Sequence, residues 1–154
     1  MGLDQYLYAK KFAHGGDWGS DESKQLFATL VALSKVEEFM ETDFPTAFIE
    51  VKVAQWRKQN AIHNWFVQEC QGGEDECQTV FVGREKLEEL RDTCRKVLAD
   101  TTLADELLPT SNGFFFGSTD YSEWYIEGLT YTADTIDKLL TMPNDWDFEY
   151  SSSW

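Results

Sequence analysis

The chain is short of positive charge, proline and histidine, and it contains no long apolar run. Against 13 Lys and Arg stand 28 Asp and Glu, a formal net charge of −15. A field of that sign repels nucleic acid and anionic lipid at long range, so direct binding to either is not expected. No stretch approaches the ~18 apolar residues of a membrane span. The opening MGLDQYLYAKKF also lacks the basic start and apolar continuation of a secretory signal. Tyr6 stands where N-myristoylation wants Ser or Thr, which removes that anchor. These absences point to a cytoplasmic protein. The three cysteines, Cys70, Cys77 and Cys94, form no C-x-x-C pair and have no histidine cluster beside them. Neither a disulfide framework nor a zinc site is indicated, and no cofactor is expected. His14 and His63 are the only histidines, and no serine sits in a G-x-S-x-G setting, so a hydrolase triad has no support.

What is present is enough for one core. The length of 154 residues is that of an ordinary single domain, and 15% aromatic residues, six Trp among them, supply bulk to fill it. No repeat, low-complexity tract or linker divides the chain. A single domain over 1–143 followed by an acidic, aromatic tail over 144–154 is the expected organisation.

Hydrophobic spacing predicts the elements. The first dozen residues alternate β-formers and lead into the glycine loop HGGDWGS, which reads as a strand and a loop. From Ser20 or Asp21, Leu26, Phe27, Leu30, Val31 and Leu33 recur at three and four, a helix that must end before Pro45. AFIEVKVA has the period of two that marks a half-buried strand. A second helix is expected from about Trp56, with Ile62, Trp65 and Phe66 on one side, ending at QGGEDE. A short β run over Thr79 to Val82 precedes a third helix whose stripe is Leu87, Leu90, Cys94, Val97 and Leu98. A last helix, with Asp120 and Glu123 near its start, carries Tyr125, Leu129, Thr132, Ile136 and Leu140 on one face. The class is α+β, about four helices packed on a small sheet. In the tail, Asp145, Asp147 and Glu149 alternate with Trp146, Phe148 and Tyr150, a pattern suited to adding a strand to the sheet, to docking on a partner, or to ordering against its own domain.

Two constellations are candidates for function. Read as one helix face, Trp56, Arg57, Asn60, His63 and Asn64 combine a stacking plane, a bidentate fork for phosphate or carboxylate, and directed hydrogen bonds, the kit for holding a nucleotide-like molecule. The competing reading makes Trp56 and His63 packing residues and pairs Arg57 with one of the many carboxylates. The second constellation is GFFFGST with the residues after it: Phe115, Phe116, Ser118, Thr119 and Tyr121. Its glycines admit close backbone approach, and it precedes a helix N-terminus, though it has no Gly-Lys-Ser/Thr ending of a phosphate loop. Its competing role is core filling by the three Phe. Cys70 or Cys77 with His63 offers a remote thiolate pairing, Cys70 lying seven positions after His63 on the same helix. Glu74, Asp75 and Glu76 lack calcium-loop spacing and read as a solvated turn.

Laid end to end, MGLD-x-YL at the start, WRK-x-NAIH-x-WFV from Trp56 to Val67, GGEDEC from Gly72, and LLPT-x-x-GFFFGST-x-Y-x-x-WY from Leu107 to Tyr125 resemble a family of small bacteriophage and prophage proteins. Gln5 departs from the pattern, which has Met there. Some members carry a phosphoglycerate kinase label, but 154 residues cannot hold a two-domain kinase. The resemblance implies an accessory role against host defence. Three mechanisms follow as expectations: sequestration of a nucleotide-derived immune signal without cleavage; direct inhibition of a host defence protein through the acidic surface, by nucleic-acid mimicry or occlusion; and a small enzyme acting on a nucleotide. Arg57 and Lys58 are a thin supply of positive charge for a phosphorylated ligand, and a homo-oligomer could gather more by joining sites from several copies.

Overall fold

The computed structural model describes residues 2–154. Strands β1 (Asp4–His14), β2 (Thr46–Arg57), β3 (Val80–Val82) and β4 (Asp147–Ser153) form one antiparallel sheet in the order β2-β1-β4-β3. Helices α1 (Asp21–Ser34), α2 (Asn60–Cys70), α3 (Arg84–Ala99), α4 (Ala104–Leu107) and α5 (Glu123–Leu139) complete an α+β fold, α4 being a single turn. No helix among the described residues is long and apolar enough to cross a membrane.

One face of the sheet and the helices share one core. On β1 the alternation buries Gln5, Leu7 and Ala9, while Tyr6, Tyr8 and Lys10 stay half-buried on the other side. Against the buried face pack Ile62 and Phe66 of α2, Leu87, Leu90, Cys94 and Val97 of α3, and Tyr125, Leu129 and Ile136 of α5. These are the stripes that helical spacing predicts, and burying them is what makes the helices stable in water. The opposite face is open and aromatic: Phe12, Phe48 and Phe81 are all exposed, with Phe12 and Phe48 paired across the strands at 5.9 Å.

Four departures from the sequence reading have physical causes. First, β2 does not stop at Ala54. Gln5 pairs with Trp56 and Asp4 with Arg57, so pairing with β1 carries the strand on to Arg57. Lys58, at φ 55°, turns the corner, and α2 begins only at Asn60. Trp56 and Arg57 are thus strand residues facing opposite ways, not members of a helix face. Second, residues 144–154 are no separate tail: β4 lies inside the sheet between β1 and β3, with Phe148 and Tyr150 in the core. Arg84 anchors its approach by donating to the carbonyls of Leu140, Pro143 and Trp146. Third, α1 is capped by Ser20 as expected, but only Val31 is buried and Leu33 is 76% exposed. The helix packs on the distal part of the β1–β2 hairpin, away from the central core. Fourth, the last helix starts at Glu123 and leaves Asp120 in the loop before it.

Candidate functional site

The corner at Lys58 is where the elements converge. Lys58 N donates to Leu3 O at 2.8 Å, and Leu3 N donates to Phe115 O at 3.0 Å, so the N-terminus is held between the β2–α2 corner and the GFFFGST loop. Gly117, at φ 87°, comes so close to Lys58 that an added Cβ would lie 3.1 Å from that residue's own Cβ.

Asn60 is the knot of this region. Its Nδ2 donates to Phe116 O at 3.1 Å and Ser118 O at 2.8 Å, while Oδ1 accepts from Ser111 N at 3.0 Å. The two predicted constellations therefore do meet, but Asn60 meets the loop as a fastener: it is buried and its amide is occupied at both ends. His63 is likewise withdrawn. It is buried, with Nδ1 2.8 Å from Tyr150 Oη and Nε2 2.8 Å from Asp75 Oδ2. Phe116 packs edge-on against its ring at 5.2 Å. Burial pushes the Tyr150 phenol well above its ordinary pKa. Asn64 faces a different cavity, beside Gln68 and Pro109.

The remaining predicted residues are mostly tied to the loop itself. Ser118 Oγ donates to Asp120 Oδ2, Thr119 O accepts from Thr110 Oγ1, and Tyr121 Oη donates to Asp105 Oδ1. Burial raises the Tyr121 phenol pKa, and the bond to Asp105 adds to that. Phe114, rather than Phe115 or Phe116, is the residue in open solvent, at 96% exposure.

Trp56 and Arg57 border an open cleft of about 220 Å³ between the end of β2 and α5, whose other walls are Gln55, Gln59, Trp124, Glu127, Gly128 and Tyr131. The Trp56 indole is buried at the base, its Nε1 donating to Thr132 Oγ1 at 2.9 Å. Trp124 and Tyr131 stand at the mouth, 56% and 44% exposed. Tyr131 also meets Trp56 edge-on at 6.1 Å. Arg57 is on the rim, its guanidinium bound to both oxygens of Asp4 and more than half exposed. At Gly128 a Cβ would overlap the end of the Gln59 side chain and displace the amide that donates from Nε2 to Trp124 O. A second hollow of about 140 Å³, lined by Lys58, Asn60 and Ser118, shares Gln59 and Trp124 with the first.

Trp124, Tyr131, Gln59 and Gly128 were not singled out from sequence. One signal was there: Trp124 and Tyr131 lie seven apart, on the solvent side of a helix whose apolar stripe is elsewhere, and exposed aromatics at that spacing mark a surface rather than a core. A larger cleft of about 570 Å³ opens under α1, but its cation, Lys11, is already bonded to Asp145 at 2.6 Å and lies near Glu22.

The arrangement at β2 and α5 defines a class: an α+β protein with a solvent-open aromatic cleft bearing one arginine, and a histidine sealed in the core. No family model, curated protein or solved structure matches the chain. The side chains of the cleft therefore carry the functional argument.

Proposed function

We propose that the chain is a binding protein that holds a nucleotide-like molecule without cleaving it, in the cleft between the end of β2 and α5. The observation that carries this reading is the aromatic mouth formed by Trp124 and Tyr131 with Arg57 on its rim. A planar base gains by stacking on such rings, and the Arg57 guanidinium, whose Nη1 is held by Asp4, is the cation that a phosphate would meet beside Glu127. The reading favours binding over turnover because His63, the side chain best suited to general acid-base work, is buried with both ring nitrogens engaged. Taken with the resemblance to phage accessory proteins, the ligand class is a nucleotide-derived immune signal, sequestered in the cytoplasm of a host cell.

A second reading has its own observation. Phe39 and Phe44 are 74% and 73% exposed, in a segment that also carries Glu37, Glu38, Glu41 and Asp43. Acidic residues alternating with bare aromatics suit a basic protein partner, as direct inhibition of a host defence protein requires.

The test is native mass spectrometry and calorimetry with a panel of linear and cyclic nucleotides. The expected result is one intact nucleotide per cleft, weakened about ten-fold or more in Trp124→Ala and in Arg57→Ala, since stacking on one aromatic contributes ~1–3 kcal/mol. Binding untouched by both substitutions would remove this cleft as the site. Failure of every nucleotide to bind, with salt-sensitive capture of a basic protein lost in Phe39→Ser/Phe44→Ser, would establish the second reading instead.

A further inference from the structure

β2 is an edge strand, and half of it is bare. Among the described residues its only strand neighbour is β1. At the far end, α5 reaches over the free edge, and Gln55 N donates to Tyr131 Oη at 3.4 Å. From Thr46 to Lys52, no side chain or loop among the described residues takes the outward backbone groups in a hydrogen bond. This open stretch pairs with β1 in unbroken register, the single irregularity lying at Leu7/Tyr8, opposite Val53. It exposes Phe48 at 54% and Val51 at 46%. Long regular edges with apolar side chains template pairing with another strand unless something blunts them.

We propose that two copies of this chain associate through β2, their edge strands running antiparallel about a two-fold axis at Val51. Charge selects this register. An axis at Val51 sets Glu50 opposite the partner's Lys52, and by symmetry Lys52 opposite the partner's Glu50. It also sets Val51 opposite Val51 and Ile49 opposite Val53. An axis one residue earlier would set Glu50 against Glu50, which is unfavourable for directly opposed residues. An axis at Ile49 forms no ion pair. Antiparallel pairing requires opposed residues of matching backbone orientation, and every second residue on an edge strand turns its N–H and C=O outward. Glu50 and Lys52, two apart, have the same orientation and so can bond reciprocally.

The register has a consequence for the cleft. With Glu50 opposite Lys52, the Thr46 end of one copy points toward the cleft end of the other's β2, where the ladder slips by one residue at Leu7/Tyr8 and Tyr131 Oη already takes the outward N–H of Gln55. Self-association does not require the ligand, so it is tested separately from the binding reading.

The experiment is light scattering coupled to size exclusion, and sedimentation, on the unliganded full chain. The expected mass is twice the 17.8 kDa of one chain. Glu50→Lys and Lys52→Glu each set like charges opposite one another twice and weaken association roughly ten-fold. The double variant E50K/K52E restores it. Both positions are on the exposed strand, Glu50 also meeting Lys10 of its own chain at 3.5 Å, and circular dichroism checks that the fold is kept. Val51→Cys forms an intermolecular disulfide under mild oxidation, while the parent chain, with Cys70, Cys77 and Cys94, does not. A monomeric parent chain overturns the proposal. So does a dimer that survives both single reversals, the result expected if copies met through the open aromatic face carrying Phe12 and Phe81.

Discussion

His63 and Tyr150, 87 positions apart in the chain, meet in the core through a 2.8 Å contact between imidazole Nδ1 and the phenol oxygen. The other ring nitrogen contacts Asp75 Oδ2, which also accepts from Trp154 Nε1 at 2.9 Å. In the tautomer that carries its proton on Nε2 toward Asp75, Nδ1 accepts from Tyr150 O–H. The chain Tyr150–His63–Asp75–Trp154 thus ties β4 and the C-terminus to α2 and to the turn after it.

Removing one link should therefore loosen the C-terminal strand. Tyr150→Phe leaves Nδ1 buried and unpaired and should cost about 1–3 kcal/mol in urea unfolding. Asp75→Ala frees His63 and Trp154 together, so amide exchange should speed up across β4 while α3 stays protected. Unchanged exchange in β4 would show that the array does not hold the strand.

The loop knot at Asn60 makes a separate prediction. Asn60→Asp replaces a two-pronged donor by a group that can only accept, facing the carbonyls of Phe116 and Ser118. Stability should fall by about 2 kcal/mol or more, and limited proteolysis should cut first beside Phe114, already 96% exposed. A variant as protease-resistant as the parent would place the loop's support elsewhere.

Gln5 is a buried amide whose Nε2 donates to Gln59 O at 3.0 Å, but whose Oε1 has no partner. Gln59 O also accepts from His63 N at 3.0 Å, so it keeps a bond if Gln5 is replaced. Gln5→Met exchanges an unpaired buried carbonyl for a flexible apolar side chain of similar length. It should be neutral or raise stability by about 1 kcal/mol. A loss above that, in thermal or urea unfolding, would mean that Oε1 has an ordered partner.

Cys70 and Cys94 should be slow to react. Burial pushes Cys70 up to about 11 and Cys94 up to about 12, so at pH 8 almost none of either is the nucleophilic thiolate. Alkylation followed by mass spectrometry should find Cys94 modified only on unfolding. Cys70, half-buried, should gain reactivity steadily as pH rises toward its raised value. Rapid labelling of Cys94 at pH 8 in folded protein would mean that the α3–α5 interface opens readily.

Much of the fold was legible locally. The stripe of α3 repeats every three to four residues, the end of β2 nearest α1 alternates strictly, and Ser20 caps α1, each a pattern completed within a few neighbouring positions. The site was less legible, for a reason visible at one position. Lys58 takes a left-handed turn without being glycine, so nothing in the sequence marked the corner, and Trp56 and Arg57 were read onto a helix that starts four residues after Trp56.

Local patterning determined α3, α5 and the alternating part of β2, and which of their faces are apolar, because backbone geometry and side-chain spacing decide both within a few residues. Tertiary structure alone decided where β2 ends, since that depends on pairing with Asp4 and Gln5, over 50 positions away. It also decided that His63 is sealed between Tyr150 and Asp75 rather than presented to a ligand. The cleft of Trp56, Arg57, Trp124 and Tyr131 arises the same way: a gap between a strand end and a helix depends on how the two pack, and no neighbouring residues encode it.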